Sequence, residues 1–207
     1  MILTDGTSTR NPMMVTSDNR GLVDGIFEPI ASERSRAGKL FGLGTGTLTI
    51  DSANADSSVL WFQNNSRTED LYVVKLIFGW NGGTTTHNVT VGTLIYYNNS
   101  VPTSNNTSIE DQIENIALSG GNTPVASGVV TAHKWDGVGT GMTSGTGGFA
   151  QIPNRPAKGE TVPDISGQII LGPSNTMEIR VTPEETGLFH VSVVYYFAPT
   201  GKGGSFI

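Results

Sequence analysis

The three histidines are the first residues to consider for catalysis or metal binding. His87, His133 and His190 lie far apart in the sequence, and the chain contains no cysteine. This spacing is not that of a local metal site, and a cysteine-based zinc site is excluded. No serine occupies a Gly-x-Ser-x-Gly motif, the signature of many serine hydrolases. These residues predict isolated surface or interface histidines, no cofactor and no enzymatic activity.

Two glycine-rich segments have to be tested against phosphate binding. Gly42-Leu-Gly-Thr-Gly46 is followed by the strand pattern of Leu48 and Ile50, where a dinucleotide loop requires a helix N-terminus. Residues 137–148 contain six glycines but lack the Gly-Lys-Ser/Thr ending of a phosphate loop. We therefore expect close strand packing in the first segment and a long, mobile surface loop in the second.

An acidic segment offers the one candidate cation site in the sequence. Asp51, Asn54 and Asp56 carry the carboxylate and amide oxygens that Ca²⁺ prefers. Their spacing differs from that of an EF-hand loop, and an ordinary Asx-rich turn explains them better. We expect the turn and no bound metal.

The composition favours strands over helices. Gly, Thr, Ser and Asn together make up 85 of the 207 residues. Glycine loses the most backbone entropy in a helix, while the other three compete for backbone hydrogen bonds. All four suit strands, turns and long loops.

Hydrophobic periodicity locates the strands. Apolar residues alternate with polar ones over 177–182 and 189–197, and they form continuous runs over 59–62 and 71–78. Alternation indicates strands with one buried face, and continuous runs indicate strands covered on both faces or placed at a subunit contact. The sequence predicts an all-β protein: an antiparallel β-sandwich, specifically a jelly roll of about eight strands.

One short helix is predicted at residues 109–118. Ser108 and Asp111 match a capping box, and Gly120-Gly121 would end the helix. Its apolar face would comprise Ile109, Ile113, Ile116 and Ala117. Its first turns would carry the acidic residues Glu110, Asp111 and Glu114, which is favourable near a helix N-terminus.

Residues 1–39 have no sustained period, which predicts an extended N-terminal arm before a β-sandwich domain at 40–207. A disordered terminus is the alternative, but such tails are poorer in large apolar side chains. We expect the arm to bind a protein surface through spaced apolar anchors and two arginines: Met13, Met14, Leu22, Ile26, Phe27, Ile30, Arg34 and Arg36.

Charge and hydropathy restrict the partners. The net charge is −6, and the arm contains five basic and five acidic residues. Nucleic-acid binding requires clustered Lys and Arg, so we expect a protein partner and no nucleic acid. No apolar run approaches the length of a membrane span, and residues 1–10 do not resemble a signal peptide. We therefore expect synthesis in a host cytoplasm and no membrane contact.

Two parts of the chain resemble virion proteins. The segment 168–183, followed by a strand over 188–197, is similar to the C-terminal part of β-sandwich virion proteins of tailed bacteriophages: an apolar strand, a Gly-Pro-Ser-Asn turn and a strand ending in Thr-Pro. The segment 46–80 is also similar, with Asn-Asn-Ser leading into its last strand. The resemblance implies a capsid decoration or cement protein, or a head-fibre subunit, and brings no catalytic residues.

These observations combine into one expectation and one rival. We expect a homo-oligomer, preferentially a trimer, on the capsid surface, bound to the major capsid protein or other virion proteins. A shell-forming capsid protein would usually have a strongly basic arm, which this chain lacks. The rival is a tail or fibre domain that binds host glycan by stacking sugars on Trp61, Trp80, Trp135 or the tyrosines. Core packing is the alternative role of these aromatic side chains.

Overall fold

The structure is a computed structural model, and it describes residues 39–51, 57–82, 89–97, 100–115, 129–137, 142, 150–154, 159–163, 165 and 169–200. In this part of the chain, thirteen strands form two antiparallel sheets. Numbered in chain order, the seven-stranded sheet comprises β1 (Leu40–Gly44), β2 (Leu48–Ile50), β4 (Glu69–Gly82), β7 (Glu114–Asn115), β10 (Gly159–Thr161), β11 (Ile170–Leu171) and β13 (Gly187–Pro199). The six-stranded sheet comprises β3 (Ser57–Asn64), β5 (Val89–Tyr97), β6 (Asn106–Ser108), β8 (Val130–Trp135), β9 (Ala150–Asn154) and β12 (Asn175–Pro183).

Strand β13 is the centre of the seven-stranded sheet. It pairs with β4 from Gly187↔Gly82 to Pro199↔Glu69, and the register shifts once, between Val194 and Tyr195. On its other side it pairs with β1, and β7 continues the sheet beyond β1. Strands β10 and β11 both pair with the free edge of β4.

Strand β12 has the corresponding place in the six-stranded sheet. It pairs with β5 along its whole length and with β3 on its other side, with a register shift between Ile179 and Arg180. Strands β8 and β6 extend the sheet beyond β3, and β9 extends it beyond β5.

The two sheets pack face to face around one apolar core. The rings of Phe62 in β3 and Tyr195 in β13 are 5.0 Å apart in an edge-to-face arrangement. At the margin, Lys134 Nζ in β8 donates a hydrogen bond to the Thr45 carbonyl beside β1 at 3.1 Å. The predicted all-β class is confirmed, with two antiparallel sheets as a β-sandwich requires. The short strands β2, β6, β7 and β11 account for most of the excess over the eight predicted.

The alternating segments behave as predicted, with one difference. Phe189, Val191, Val193 and Tyr195 are fully buried on one face of β13, and so are Met177, Ile179 and Val181 on one face of β12. Glu178 also has no exposed surface, although alternation places it on the face of β12 opposite that core. Its carboxylate accepts a 2.6 Å hydrogen bond from Arg180 Nε.

The predicted helix at 109–118 is wrong. Glu110–Gln112 form a single 3-10 turn, and Glu114–Asn115 then form β7 beside β1. Ser108 cannot act as a cap because it belongs to β6, where it pairs with His133. The Ile109 amide donates to the Ala132 carbonyl at 2.9 Å, and Ile113 has extended backbone angles. Pairing with neighbouring strands satisfies the backbone groups that the helix would have paired internally. Residues 116–118 lie outside the described residues.

The predicted N-terminal arm falls almost wholly outside the described residues, which begin at Lys39. Over the described ranges, no helix is long and apolar enough to cross a membrane.

Candidate assembly surface

The side of the seven-stranded sheet that faces away from the core is the candidate functional surface. Because residues paired across antiparallel strands point to the same side, the register assigns one set of side chains to this outer face. It includes Tyr72, Lys75, Ile77, Gly79 and Asn81 of β4, Leu188, His190, Ser192, Val194 and Tyr196 of β13, Leu40, Gly42 and Gly44 of β1, Thr49 of β2, Glu114 of β7, Glu160 of β10, and Ile170 of β11.

Much of the outer face is apolar or small. Ile170 and Leu188 are 42% and 43% exposed, and Ile77 and Val194 are half-buried. Exposed apolar side chains that share one sheet face form a surface suited to contact with another protein.

An aromatic pair lies at one end of the outer face. The rings of Tyr72 and Tyr196 are stacked with centroids 5.1 Å apart and planes inclined by 7°. Burial raises the pKa of Tyr72, and the nearby Asp70 and Tyr196 act in the same direction. The Tyr72 phenol therefore stays neutral at physiological pH, and its ring, only 8% exposed, supports the half-buried Tyr196 ring at this end of the face.

Glycine flattens the middle of the face. Gly44 pairs with Ser192, and a Cβ atom at Gly44 would come within 3.2 Å of Ser192 Oγ. At Gly79 the His190 ring occupies the space that a side chain would need. Glycine inside a strand often marks a place where another backbone approaches closely. Gly42 and Gly44, both half-buried, are therefore the positions on this face that a second surface could approach closely.

One row across the face carries opposite charges at its two ends. Lys75 pairs with Val194, Val194 with Gly42, and Gly42 with Glu114. Lys75 and Glu114 are both exposed. Three strand intervals of about 4.8 Å separate them, which places their backbones about 14 Å apart.

A shallow cleft of about 300 Å³ lies at the other end of the face, lined in part by Glu160, His190, Asn81 and Leu188. A carboxylate and an imidazole can hydrogen-bond a polar ligand. Within the described ranges, however, no group of three His, Asp or Glu side chains could hold a metal ion.

The six-stranded sheet holds a polar group of a different kind. His133 Nδ1 lies 2.7 Å from Asn106 Oδ1, an acceptor, so this nitrogen carries the proton. The His133 ring meets Trp61 edge to face at 5.9 Å. Burial lowers the pKa of His133, and the Glu110 carboxylate acts in the opposite direction. This arrangement secures β8 to its neighbours β6 and β3.

The structure keeps the predicted chemical candidates apart. His133 and His190 lie on different sheets. Asp51 accepts a hydrogen bond from Thr186 Oγ1 at 3.1 Å, while Asn54 and Asp56 lie outside the described residues. A strand, β2, follows the glycines at 42–46, which agrees with the rejection of a dinucleotide loop.

The three tryptophans are core residues. Trp61, Trp80 and Trp135 are at most 2% exposed, so core packing, and not an open stacking surface, describes them. In the glycine-rich segment 137–148, Met142 is buried and its amide donates to the Ser58 carbonyl at 3.2 Å. At this position the segment is attached to β3, and most of the remainder lies outside the described residues.

The predicted interface residues cannot be compared with the outer face, because all eight lie outside the described residues: Met13, Met14, Leu22, Ile26, Phe27, Ile30, Arg34 and Arg36. The sequence reading did not identify Lys75, Val194 and Glu114. Lys75 could have been recognised from the sequence, because it is the one charged residue in the apolar run 71–78. Glu114 was assigned to the helix that does not form.

Comparison of the chain with family models, with curated proteins and with solved structures gave no match.

Proposed function

We propose that this protein is a non-enzymatic virion structural protein: a capsid decoration or cement protein that binds a phage head as an oligomer. The observation that carries the proposal is the order of strands in the two sheets, and the outer face supports it.

The strand order supports a jelly roll. Strands β1, β3, β4, β5, β9, β10, β12 and β13 are counted as strands one to eight of the jelly roll. Across the seven-stranded sheet they then lie in the order β1, β13, β4 and β10, which is first, eighth, third and sixth. The other contains them in the order second, seventh, fourth, fifth. This is the order of an eight-stranded jelly roll, an architecture that recurs in viral capsid proteins and in lectins. The step from fold to role is an analogy.

The outer face favours assembly over glycan binding among the roles that a jelly roll can have. It presents a glycine-containing surface with exposed Ile170 and Leu188. The three tryptophans are in the core, and in the stacked tyrosine pair Tyr72 is only 8% exposed, which leaves little open aromatic surface for a sugar. An apolar sheet face suits contact with another protein, which a decoration protein makes with its neighbours and with the shell.

Counting copies per particle tests the proposal. Quantitative gel analysis of purified virions should find this chain in hundreds of copies, because a decoration protein occupies sites repeated over the whole shell. Tens of copies or fewer would indicate a tail component and overturn the proposal. A glycan array with the full chain separates the rival function, since specific sugar binding would support a receptor-binding role.

A binding assay tests the proposed arm. The full chain should co-sediment with heads stripped of it, and a variant lacking residues 2–38 should not. If the truncated chain remains folded by circular dichroism and still binds heads, the arm is not the attachment segment.

A further inference from the structure

We propose that the outer face binds the same face of a second copy of this chain, in a two-fold arrangement whose axis runs parallel to the strands. The inference specifies the oligomer proposed above as a two-fold dimer, in place of the trimer expected from the sequence. It rests on that proposal for its biological use, although its physical test is independent.

The row Lys75–Val194–Gly42–Glu114 determines the symmetry. Its members lie on β4, β13, β1 and β7 in that order, with a cation at one end and an anion at the other. A two-fold axis between β13 and β1, parallel to them, reverses the row in the partner copy. Lys75 then lies opposite the Glu114 position of the second copy, and Val194 lies opposite the Gly42 position.

The same axis matches the neighbouring rows by size and polarity. Ser192 pairs with Gly44 within one sheet, so the operation places Ser192 opposite the Gly44 position of the second copy. In the next row it places the half-buried Tyr196 opposite the Leu40 position, where the contact is apolar but small because Leu40 is only 7% exposed. Each copy therefore offers small residues where close approach is needed, and aromatic and aliphatic residues at one end.

An isolated Lys75 and Glu114 on one copy cannot satisfy each other. Their backbones are about 14 Å apart across the sheet, and the side chains project from opposite margins of the row. In the dimer, Lys75 of each copy meets the Glu114 position of the other copy, so the ion pair forms twice. Opposite charges that meet in this way fix the register of an interface and suppress other arrangements.

The dimensions of the face indicate a weak dimer. The strands from β10 to β7 span about 19 Å and the residues from Leu188 to Tyr196 span about 27 Å, so each copy contributes about 500 Å² in projection. The total of about 1,000 Å² is at the lower limit for a specific interface. Interfaces at this limit belong to weak, transient complexes, and we expect a dissociation constant in the micromolar range.

Carbodiimide cross-linking of the full chain tests the contact directly. The reagent joins a lysine amine to a carboxylate in an amide bond, with loss of water, only when the two groups already touch. We expect a covalent dimer on a denaturing gel, with Lys75 joined to Glu114 by mass spectrometry. In an equal mixture of ¹⁴N- and ¹⁵N-labelled chains, about half of the joined peptide pairs should contain one light and one heavy peptide, which only a link between copies can produce.

Variants at the two charges make the test specific. Lys75→Arg should keep the dimer in analytical ultracentrifugation but lose the cross-link, because arginine is not coupled by the reagent. Lys75→Glu places like charges together twice and should raise the dissociation constant about tenfold or more. The exchange Lys75→Glu with Glu114→Lys should restore it to within about threefold of the original value, since the attraction returns with reversed sign.

A matched control reverses a charge elsewhere. Arg67 is exposed in the segment between β3 and β4, outside the outer face. Arg67→Glu should therefore leave the dissociation constant unchanged within about twofold.

Three results would overturn the inference. The first is a chain that stays monomeric at 100 µM, about a hundredfold above a micromolar dissociation constant. The second is a dimer that Lys75→Glu leaves intact, and the third is a purely trimeric assembly, since a two-fold contact produces pairs. The proposed function fails separately. A dimer joined at these residues with no affinity for heads would leave the contact standing and remove the capsid role, while a monomer that decorates heads would do the reverse.

Discussion

Tyr195 brings a hydroxyl group into the centre of the apolar core. Its ring is surrounded by Phe62, Phe41 and Phe197, with centroids 5.0, 5.7 and 5.9 Å away. Its hydroxyl is buried and, among the described residues, has no hydrogen-bond partner. Burial raises the pKa of this phenol, so the group remains neutral. A buried polar group without a partner lowers stability by its desolvation cost.

Replacing Tyr195 with phenylalanine should stabilise the fold. The variant keeps the ring contacts and removes the desolvated hydroxyl, so the free energy of unfolding should rise by about 1 kcal/mol or more. Urea unfolding at pH 7 measures the change. Tyr196→Phe is the matched control, because that ring lies on the outer face and is half-buried; it should not stabilise. A loss of stability in Tyr195→Phe would mean that the hydroxyl has a partner.

His133 should make stability depend on pH in the mildly acidic range. Its pKa in the folded chain is below the ordinary value of 6.5 because the ring is partly desolvated. The unfolded chain therefore binds a proton at a higher pH than the folded chain does. The free energy of unfolding should decrease as pH falls through 6.5 towards the lower folded pKa. One proton limits the slope to about 1.4 kcal/mol per pH unit.

Urea unfolding of the original chain and of His133→Asn at pH 8, 7, 6 and 5 measures this contribution. The asparagine keeps a donor for Asn106 Oδ1 but cannot titrate, so its stability should fall less between pH 7 and pH 5. Carboxylates and the other histidines affect both chains equally. Identical pH profiles would show that His133 is not the group responsible.

At the scale of single residues, the sequence patterns predicted the burial of apolar side chains better than the burial of charged ones. The alternation over 189–195 places Phe189, Val191 and Val193 in the core as expected. The same reasoning assigns Glu178 to the opposite face of β12, and its complete burial was not foreseen. Whether a side chain such as Glu178 is buried depends on which other segments of the chain contact that side of the sheet. A local hydrophobic period contains no information about distant segments.

Among the elements, the start of β13 has the tightest contact with a neighbouring strand. Gly187 lies opposite Gly82 in β4. A Cβ atom at Gly187 would be 2.7 Å from the Gly82 Cα, 2.7 Å from Trp80 Cη2 and 2.9 Å from the Asn81 carbonyl oxygen. Two of these atoms belong to the backbone and the third to a buried ring, so none can move without shifting the strand pair.

Gly187→Ala should therefore destabilise the fold by about 2–3 kcal/mol, the cost of forcing an extra methyl group into a packed site. Thermal unfolding followed by circular dichroism measures it. Gly79→Ala is the comparison, since the atoms in its way belong to the half-buried His190 ring, which can turn towards solvent. Gly79→Ala should lower the free energy of unfolding by about 1 kcal/mol or less, and this loss should disappear when His190 is also replaced by alanine. Equal costs at the two glycines would contradict this distinction.

The long strands were predictable from local sequence, and the short ones were not. Strands β4, β12 and β13 each repeat their pattern over nine or more residues. In contrast, Glu114–Asn115 form a strand only because β1 offers them backbone partners. The capping-box pattern at Ser108 and Asp111 was outweighed by pairing in the sheet, as weak local preferences commonly are.

At the scale of the whole molecule, the composition was enough to predict the all-β class, but the outer face depends on register. Lys75 and Glu114 are 39 positions apart, and only the pairing of β4, β13, β1 and β7 puts them in one row. The candidate surface could not be derived from the sequence, because no local pattern specifies which strands are neighbours.

The central position of β13 also affects how quickly the chain can fold. Leu40 pairs with Tyr196, and Glu69 pairs with Pro199, so the seven-stranded sheet is held together by contacts between residues more than 100 positions apart. Until residues 187–199 have been synthesised, β1 and β4 have no strand between them. Such long loops have to close before any pairing compensates their entropy, which makes folding slow. Nascent chains should therefore expose unpaired strand edges late in translation, a period in which chaperone binding would protect them from aggregation.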